Sequence, residues 1–239
     1  MKKVDIKLKK KYLSSNNTTA YLEFSLKEDF DFIPGQFWML DNWQIKRPYS
    51  FASSPFLVRK DKKIYFYVKK VSESWMSKYL VEDIKEGENL SLMWPFWHMN
   101  LEPADNYLFV SIGSGLAPMI SMMEHLFLEN FSGKVYNIFG ERFYDNIPLK
   151  VLEKLDSFPL NFKNYITLSK QVDFYFKDEY KNINFSKWHV QDVLKEIVDK
   201  LKFNEFRIYL CWKPSMVDEI VDFLVKNWAQ KQLIKFEKY

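Results

Sequence analysis

Val4-Asp5-Ile6-Lys7-Leu8-Lys9 alternates apolar and polar positions, the period of a half-buried strand. Asn16-Asn17 reads as a turn, and Ala20 to Leu26 alternates again as the hairpin partner. Pro34-Gly35 marks a further turn. Phe37 to Leu40 and Tyr49 to Ala52 read as strands, the second followed by a turn at Ser54-Pro55. Ile64-Tyr65-Phe66-Tyr67-Val68 is aromatic and β-branched, the composition of a strand. Ser74 to Val81 reads as a short helix with Trp75, Tyr79 and Leu80 inward. Gly87-Glu88 then turns into a strand over Asn89 to Met93. Short strands separated by turns predict a small antiparallel β-barrel.

After Pro103 the period changes. Tyr107 to Ile112 is almost continuously apolar, as in a strand buried on both faces of a parallel sheet, and Val135 to Phe139 and Phe206 to Leu210 read alike. Met119, Met122, Met123 and Leu126 keep helical spacing, as do Leu149, Leu152 and Leu155 with Pro148 at the first turn. Val190, Val193, Leu194, Ile197, Val198 and Leu201 form an amphipathic stripe, and Val217, Ile220, Val221 and Leu224 another. Strands alternating with helices predict an α/β doubly wound parallel sheet. The expected organisation is two-domain, with boundaries 1–103 and 104–239.

The chain has 239 residues, 47% of them hydrophobic, enough for one large or two small cores. The apolar run from Tyr107 to Leu128 is interrupted by Gly113, Gly115 and Pro118, so strand, loop and buried helix are expected rather than a transmembrane span. Val4 to Lys9 has no apolar stretch of the signal-peptide kind, which makes cytoplasmic the expected location. Net charge is +4, mixed in sign and without a focused basic patch, so no nucleic-acid partner is expected. A single cysteine excludes an internal disulfide and an iron–sulfur cluster held by this chain alone. His98, His125 and His189 are scattered, and no metal site is expected.

Three segments carry candidate chemistry. Arg47-Pro48-Tyr49-Ser50 sets a cation, an aromatic ring and a hydroxyl side by side. A flat, phosphate-bearing cofactor needs a ring face, a charge and hydrogen-bonding groups of this kind, although a plain edge strand would also read so. Gly113-Ser114-Gly115-Leu116-Ala117-Pro118 follows a strand and opens a helix. Such a loop can admit a pyrophosphate to the helix N-terminus, or can be a tight turn without ligand. Cys211 to Met216 reaches the same sheet edge, and Ser215 with Asp218 forms a capping pattern for the next helix.

Arg47-Pro48-Tyr49-Ser50 with Ser53-Ser54-Pro55 resembles the flavin signature of the ferredoxin–NADP reductase superfamily. Pro34-Gly35-Gln36-Phe37 resembles the family's turn before the flavin strand, and Gly113 to Pro118 its nucleotide loop. Cys211-Trp212-Lys213-Pro214-Ser215-Met216 resembles in part its Cys-Gly-Pro-Pro-any-Met segment. The resemblance implies a flavoprotein oxidoreductase passing hydride from NADPH or NADH to a flavin, FAD in preference to FMN. Electrons then go to a separate acceptor: a ferredoxin-, flavodoxin- or haem-type protein, or a small molecule. It implies that Arg47 pairs with a flavin phosphate, Tyr49 stacks on the isoalloxazine and Ser50 bonds its N5. Pro48, Val68, Lys69, Ser74 and Ser77 complete the flavin site. Gly113, Gly115, Leu116, Pro118, Trp212 and Met216 shape the nucleotide site, with Ser169 and Lys170 where some relatives hold the extra phosphate of NADP. Cys211 falls beside the nicotinamide, and Tyr239 falls where relatives place an aromatic near the flavin, or at a frayed end. Departures are Glu73 and Ser74 for a glycine pair, Trp97 for glycine, and Trp212 and Lys213 for glycine and proline. Trp212 could fill the nicotinamide pocket, swing aside or act as a lid. The alternative is a flavin-binding relay or regulatory module that keeps the fold without oxidising nicotinamide nucleotide.

Overall fold

The computed structural model describes residues 3–28, 30–96, 99–198, 201–227 and 229–238. Six strands form an antiparallel sheet: β1 (Lys3–Leu13), β2 (Thr19–Leu26), β3 (Phe37–Asp41), β4 (Lys46–Ser50), β5 (Lys63–Lys69) and β6 (Asn89–Phe96). Their order is β4-β3-β6-β1-β2-β5, and a bridge between Phe51 and Phe66 brings the two edges together into a nearly closed barrel. The alternation seen in Val4 to Lys9 places Val4, Ile6 and Leu8 inside and the lysines outside. Phe24, Trp38, Phe51 and Phe66 fill the interior, with Trp38 and Phe51 ring centres 5.9 Å apart. A short helix, α1 (Pro55–Asp61), occupies the segment read as a turn, because Ser54 caps it by accepting from Phe56 N–H at 3.2 Å and Pro55 stands at its first position.

The second sheet is parallel: β7 (Tyr107–Ile112), β8 (Val135–Glu141), β9 (Phe162–Leu168), β10 (Ile183–Ser186), β11 (Arg207–Trp212) and β12 (Ile234–Lys238), in the order β10-β9-β8-β7-β11-β12. Helices α3 (Leu116–Leu128) and α4 (Leu149–Asp156) cover one face against Phe109, Val135 and Tyr209. Helices α5 (Val190–Val198) and α6 (Pro214–Lys226) cover the other against Leu108, Ile138 and Leu210. This is the expected doubly wound sheet. Strand order reverses between β7 and β11, so the carboxyl ends of these two strands form the crevice where such sheets bind ligands. The helix α6 opens on Lys213 and Pro214, not on a Ser215 cap, and Asp218 instead pairs with Lys238 at 2.6 Å.

Helix α3 is buried nearly all round because the barrel packs on its other side. Tyr21, Ala52 and Tyr67 of the barrel belong to the same apolar cluster as Leu116, Met119 and Met123. Polar contacts fix the docking: Ser121 Oγ donates to Ser53 O at 2.7 Å, and Glu124 accepts from Ser54 N–H at 2.6 Å while pairing with Lys154. No helix among the described residues is long and apolar enough to cross a membrane.

Candidate cofactor cleft

The docking leaves a cleft of 680 Å³ between the barrel and the crevice of the parallel sheet. Its lining, among the described residues, comes from six places in the sequence: Phe37; Arg47 to Ser50; Tyr67, Lys69 and Val71; Ser74 and Ser77; Ser114 and Ala117; and Phe236, Glu237 and Lys238.

Strand β4 is an edge strand, which tolerates Pro48 opposite Met39 without loss of an interior ladder bond. Tyr49 pairs with Trp38 in register and sets its ring edge-on to Phe66, with centres 6.4 Å apart. Burial pushes the Tyr49 phenol well above its ordinary range, with the Arg47 charge opposing in part, so the hydroxyl stays neutral. Arg47 itself is exposed and donates to Lys46 O at 2.9 Å. Ser50 is half-buried where the strand enters the bridge at Phe51.

After β5, Ser74 caps the helix α2 (Trp75–Lys78), which runs on as a wider turn from Tyr79 to Asp83. Ser77 Oγ accepts from Val71 N–H at 3.0 Å and donates to Ser74 O at 3.0 Å. The Ser77 hydroxyl therefore braces the loop 71–74 that borders the cleft. Glu73 is exposed and outside the lining.

On the other side, β7 is followed by Gly113, which takes φ +55°, and a single tight turn over Gly113–Gly115 leads into α3. A Cβ at Gly115 would stand 2.3 Å from Cys211 O, so only glycine lets β7's loop close on β11. Leu116 and Pro118 are buried, and Ser114 and Ala117 are the loop residues that reach the cleft. Cys211 is fully buried, beside Ser111 on one side and Glu237 on the other. Val68 is buried in the barrel core, and its neighbour Lys69 faces the cleft. Ser169 and Lys170 lie at the end of β9, tied to β8's end by Ser169 N–H to Glu141 O at 3.0 Å and Lys170 N–H to Arg142 O at 2.9 Å. Trp212 is half-buried against the Leu108 and Leu210 cluster, and neither it nor the half-buried Met216 is among the cleft-lining residues described. Tyr239 and Trp97 lie outside the described residues.

Sequence reasoning missed β12 and its contribution. Glu237 lines the cleft, its Oε2 is buried without a hydrogen-bond partner, and burial pushes its carboxyl up to about 7. The hydroxyl of Tyr67, another lining residue, is also buried and unpartnered. Two orphaned polar atoms beside an aromatic ring, a cation and serines fit the polar edge of a flat heteroaromatic ring better than they fit an apolar ligand. The alternation Ile234-Lys235-Phe236-Glu237-Lys238 was the available signal for β12.

Comparison with known proteins agrees with this architecture. The family model described as the oxidoreductase NAD-binding domain matches residues 109–222. Protein RfbI of Salmonella typhimurium is 27% identical over 202 residues, covering 82% of this chain and 56% of that protein. The toluate 1,2-dioxygenase electron transfer component of Pseudomonas putida is 24% identical over 237 residues, covering 95% of this chain and 64% of that one. The chain thus spans about 60% of the length of these curated relatives. A ferredoxin NADP+ reductase of Neisseria gonorrhoeae, solved with bound FAD and NADP, superposes with a TM-score of 0.77 at 16% identity, covering 100% of this chain and 99% of that one. A barrel docked on a doubly wound sheet, with a cleft between them, is thus the fold of the solved ferredoxin NADP+ reductase, and residues 109–222 within it match the oxidoreductase NAD-binding domain.

Proposed function

We propose that this chain is an NAD(P)H-dependent flavin reductase that supplies electrons to a separate acceptor, with residues 1–103 holding the flavin, FAD in preference to FMN, and residues 104–239 the nucleotide. The observation that carries this reading is the cleft itself. One cavity collects Arg47, Tyr49 and Ser50 from the barrel and Ser114 and Ala117 from the switch-point loop of the parallel sheet. A bound flavin would supply the redox chemistry, taking two electrons as hydride from the reduced nicotinamide and releasing them to the acceptor.

The chain's own residues bind, orient and manage charge. Arg47 presents its guanidinium to a phosphate at the open end of the cleft. Tyr49 offers a neutral ring face held edge-on by Phe66. Ser50 offers a hydroxyl to the reacting ring edge, and Ser74 with Ser77 shapes the phosphate border. Gly113, Gly115, Leu116 and Pro118 form the nucleotide loop, with α3 supplying positive potential at its start. Cys211, directly behind Gly115, sets the depth of the nicotinamide pocket. Glu237, its carboxyl pushed up to about 7 by burial, can hold or release a proton near neutral pH within the same cleft. The name of the Pseudomonas putida relative, an electron transfer component, supports an oxygenase-type acceptor chain over direct small-molecule reduction.

The test is the visible absorbance spectrum of the purified, flavin-reconstituted protein before and after anaerobic NADH and, separately, NADPH. Flavin bands that bleach are expected, and the faster nucleotide identifies the substrate. Bands that persist with both nucleotides would reduce the protein to an electron relay, and failure to retain FAD or FMN would refute the reading.

A further inference from the structure

A charge pair spans the cleft at the nucleotide loop. Lys69 leaves the end of β5 and its side chain passes over Gly113: a Cβ built there would stand 3.6 Å from Lys69 Cδ and 3.9 Å from its Nζ. The ammonium lies 2.6 Å from Oε1 and 2.5 Å from Oε2 of Glu141, the last residue of β8. Barrel and parallel sheet are therefore joined by an ion pair laid across the mouth of the loop.

The two partners are held very differently. The Glu141 side chain is 2% exposed, and its Oε1 also accepts from Arg142 N–H at 2.8 Å and Asn146 Nδ2 at 2.8 Å. Lys69 is 29% exposed, faces the cleft and ends a flexible stem. If Lys69 swings away, the carboxylate keeps two donors, so its buried charge is not abandoned. The ammonium can then follow any stronger anion that enters the loop. A dinucleotide pyrophosphate is such an anion, and the fixed carboxylate both repels it and competes with it for Lys69.

We propose that Lys69 and Glu141 form a clasp which the incoming dinucleotide opens, Lys69 passing from the carboxylate to a pyrophosphate oxygen while Glu141 limits the affinity. This rests on the nucleotide-binding reading of the Gly113 to Pro118 loop. Glu141 is thus an affinity-setting residue that acts through Lys69 and stays in place.

Calorimetric titration of the flavin-reconstituted protein with ADP-ribose tests it, because ADP-ribose carries the pyrophosphate and cannot be turned over. Glu141→Gln should tighten binding about tenfold, the worth of one charge-assisted hydrogen bond. Lys69→Met should weaken it by a similar factor, and the gain from Glu141→Gln should largely vanish in the Lys69→Met background. Binding to the wild type that does not respond to either substitution overturns the clasp alone. No binding of ADP-ribose to the wild type overturns the nucleotide reading and the clasp with it. Should Glu141→Gln fail to fold, an unchanged Kd in Lys69→Met overturns the proposal by itself.

Discussion

Replacing Glu237 with glutamine should remove a distinct pH dependence from the stability of the fold. Glu237 sits on β12 next to Cys211, with Oε2 buried and unpartnered. Burial raises its carboxyl from the ordinary 4.5 to about 7. Between these values the folded chain holds a proton that the unfolded chain has released. Stability therefore falls as pH rises from 4.5 to 7, and levels off above 7. A displacement of that size corresponds to about 3 kcal/mol at full extent. Glutamine keeps the shape and carries no charge at any pH, so Glu237→Gln should match the wild type near pH 4.5 and exceed it by about 3 kcal/mol at pH 8. The assay is urea unfolding at intervals from pH 4.5 to 8.5, read as the difference between the two proteins. The difference matters because burial lowers the His125 pKa, and that group adds stability with rising pH in both. Parallel curves for wild type and variant would refute the burial argument for Glu237.

Tyr49→Ala should release flavin during gel filtration, read as lost visible absorbance, because the ring face is removed while Arg47 remains. Ser50→Ala should slow anaerobic reduction about tenfold by stopped flow with flavin content unchanged, the scale of one ordinary hydrogen bond lost at the reacting edge; an equal rate would remove Ser50 from the site. Gly115→Ala should cost about 2 kcal/mol in urea unfolding, since the new methyl would meet the backbone oxygen of Cys211; an unchanged midpoint would contradict the close approach. Trp212→Gly should cost about 2–3 kcal/mol by stripping a half-buried ring from the Leu108 cluster and placing glycine in a strand. Its rate of reduction by nucleotide should stay at the wild-type value, because the ring packs away from the cleft lining, and a faster variant would show that Trp212 blocks the pocket.

The local periods along the chain determined most elements. Alternation in Val4 to Lys9 and the continuous apolar run in Tyr107 to Ile112 name the class of sheet each strand enters, since one face or two must be covered. Ala20 to Leu26, read as alternating, is instead buried on both faces because Tyr21 packs in the cluster of α3. The order of short motifs marked Arg47 to Ser50 and the Gly113 to Pro118 loop as candidates, and in the fold Arg47 to Ser50 and the loop's Ser114 and Ala117 line one cleft. Strands β9 and β10 were not legible. They carry Asn164, Thr167 and Asn184, and the buried Asn164 is tolerated only because Asn137 and Leu155 O satisfy it from other elements.

What the tertiary structure alone decided is who faces whom. Ser53 and Ser54 read as part of a flavin signature, yet in the fold Ser53 O accepts from Ser121 and Ser54 N–H donates to Glu124 to dock the barrel on α3. Lys69 and Glu141 are 72 positions apart and meet only because β5 and β8 end at the same cleft. Glu237 is an ordinary acidic position in the sequence; parallel pairing of β12 with β11 turns it into a buried carboxyl beside the loop. Periodicity records how much of each segment must be hidden from water. Parallel pairing and domain docking bring together residues distant in the chain, and neither leaves a local mark on the sequence.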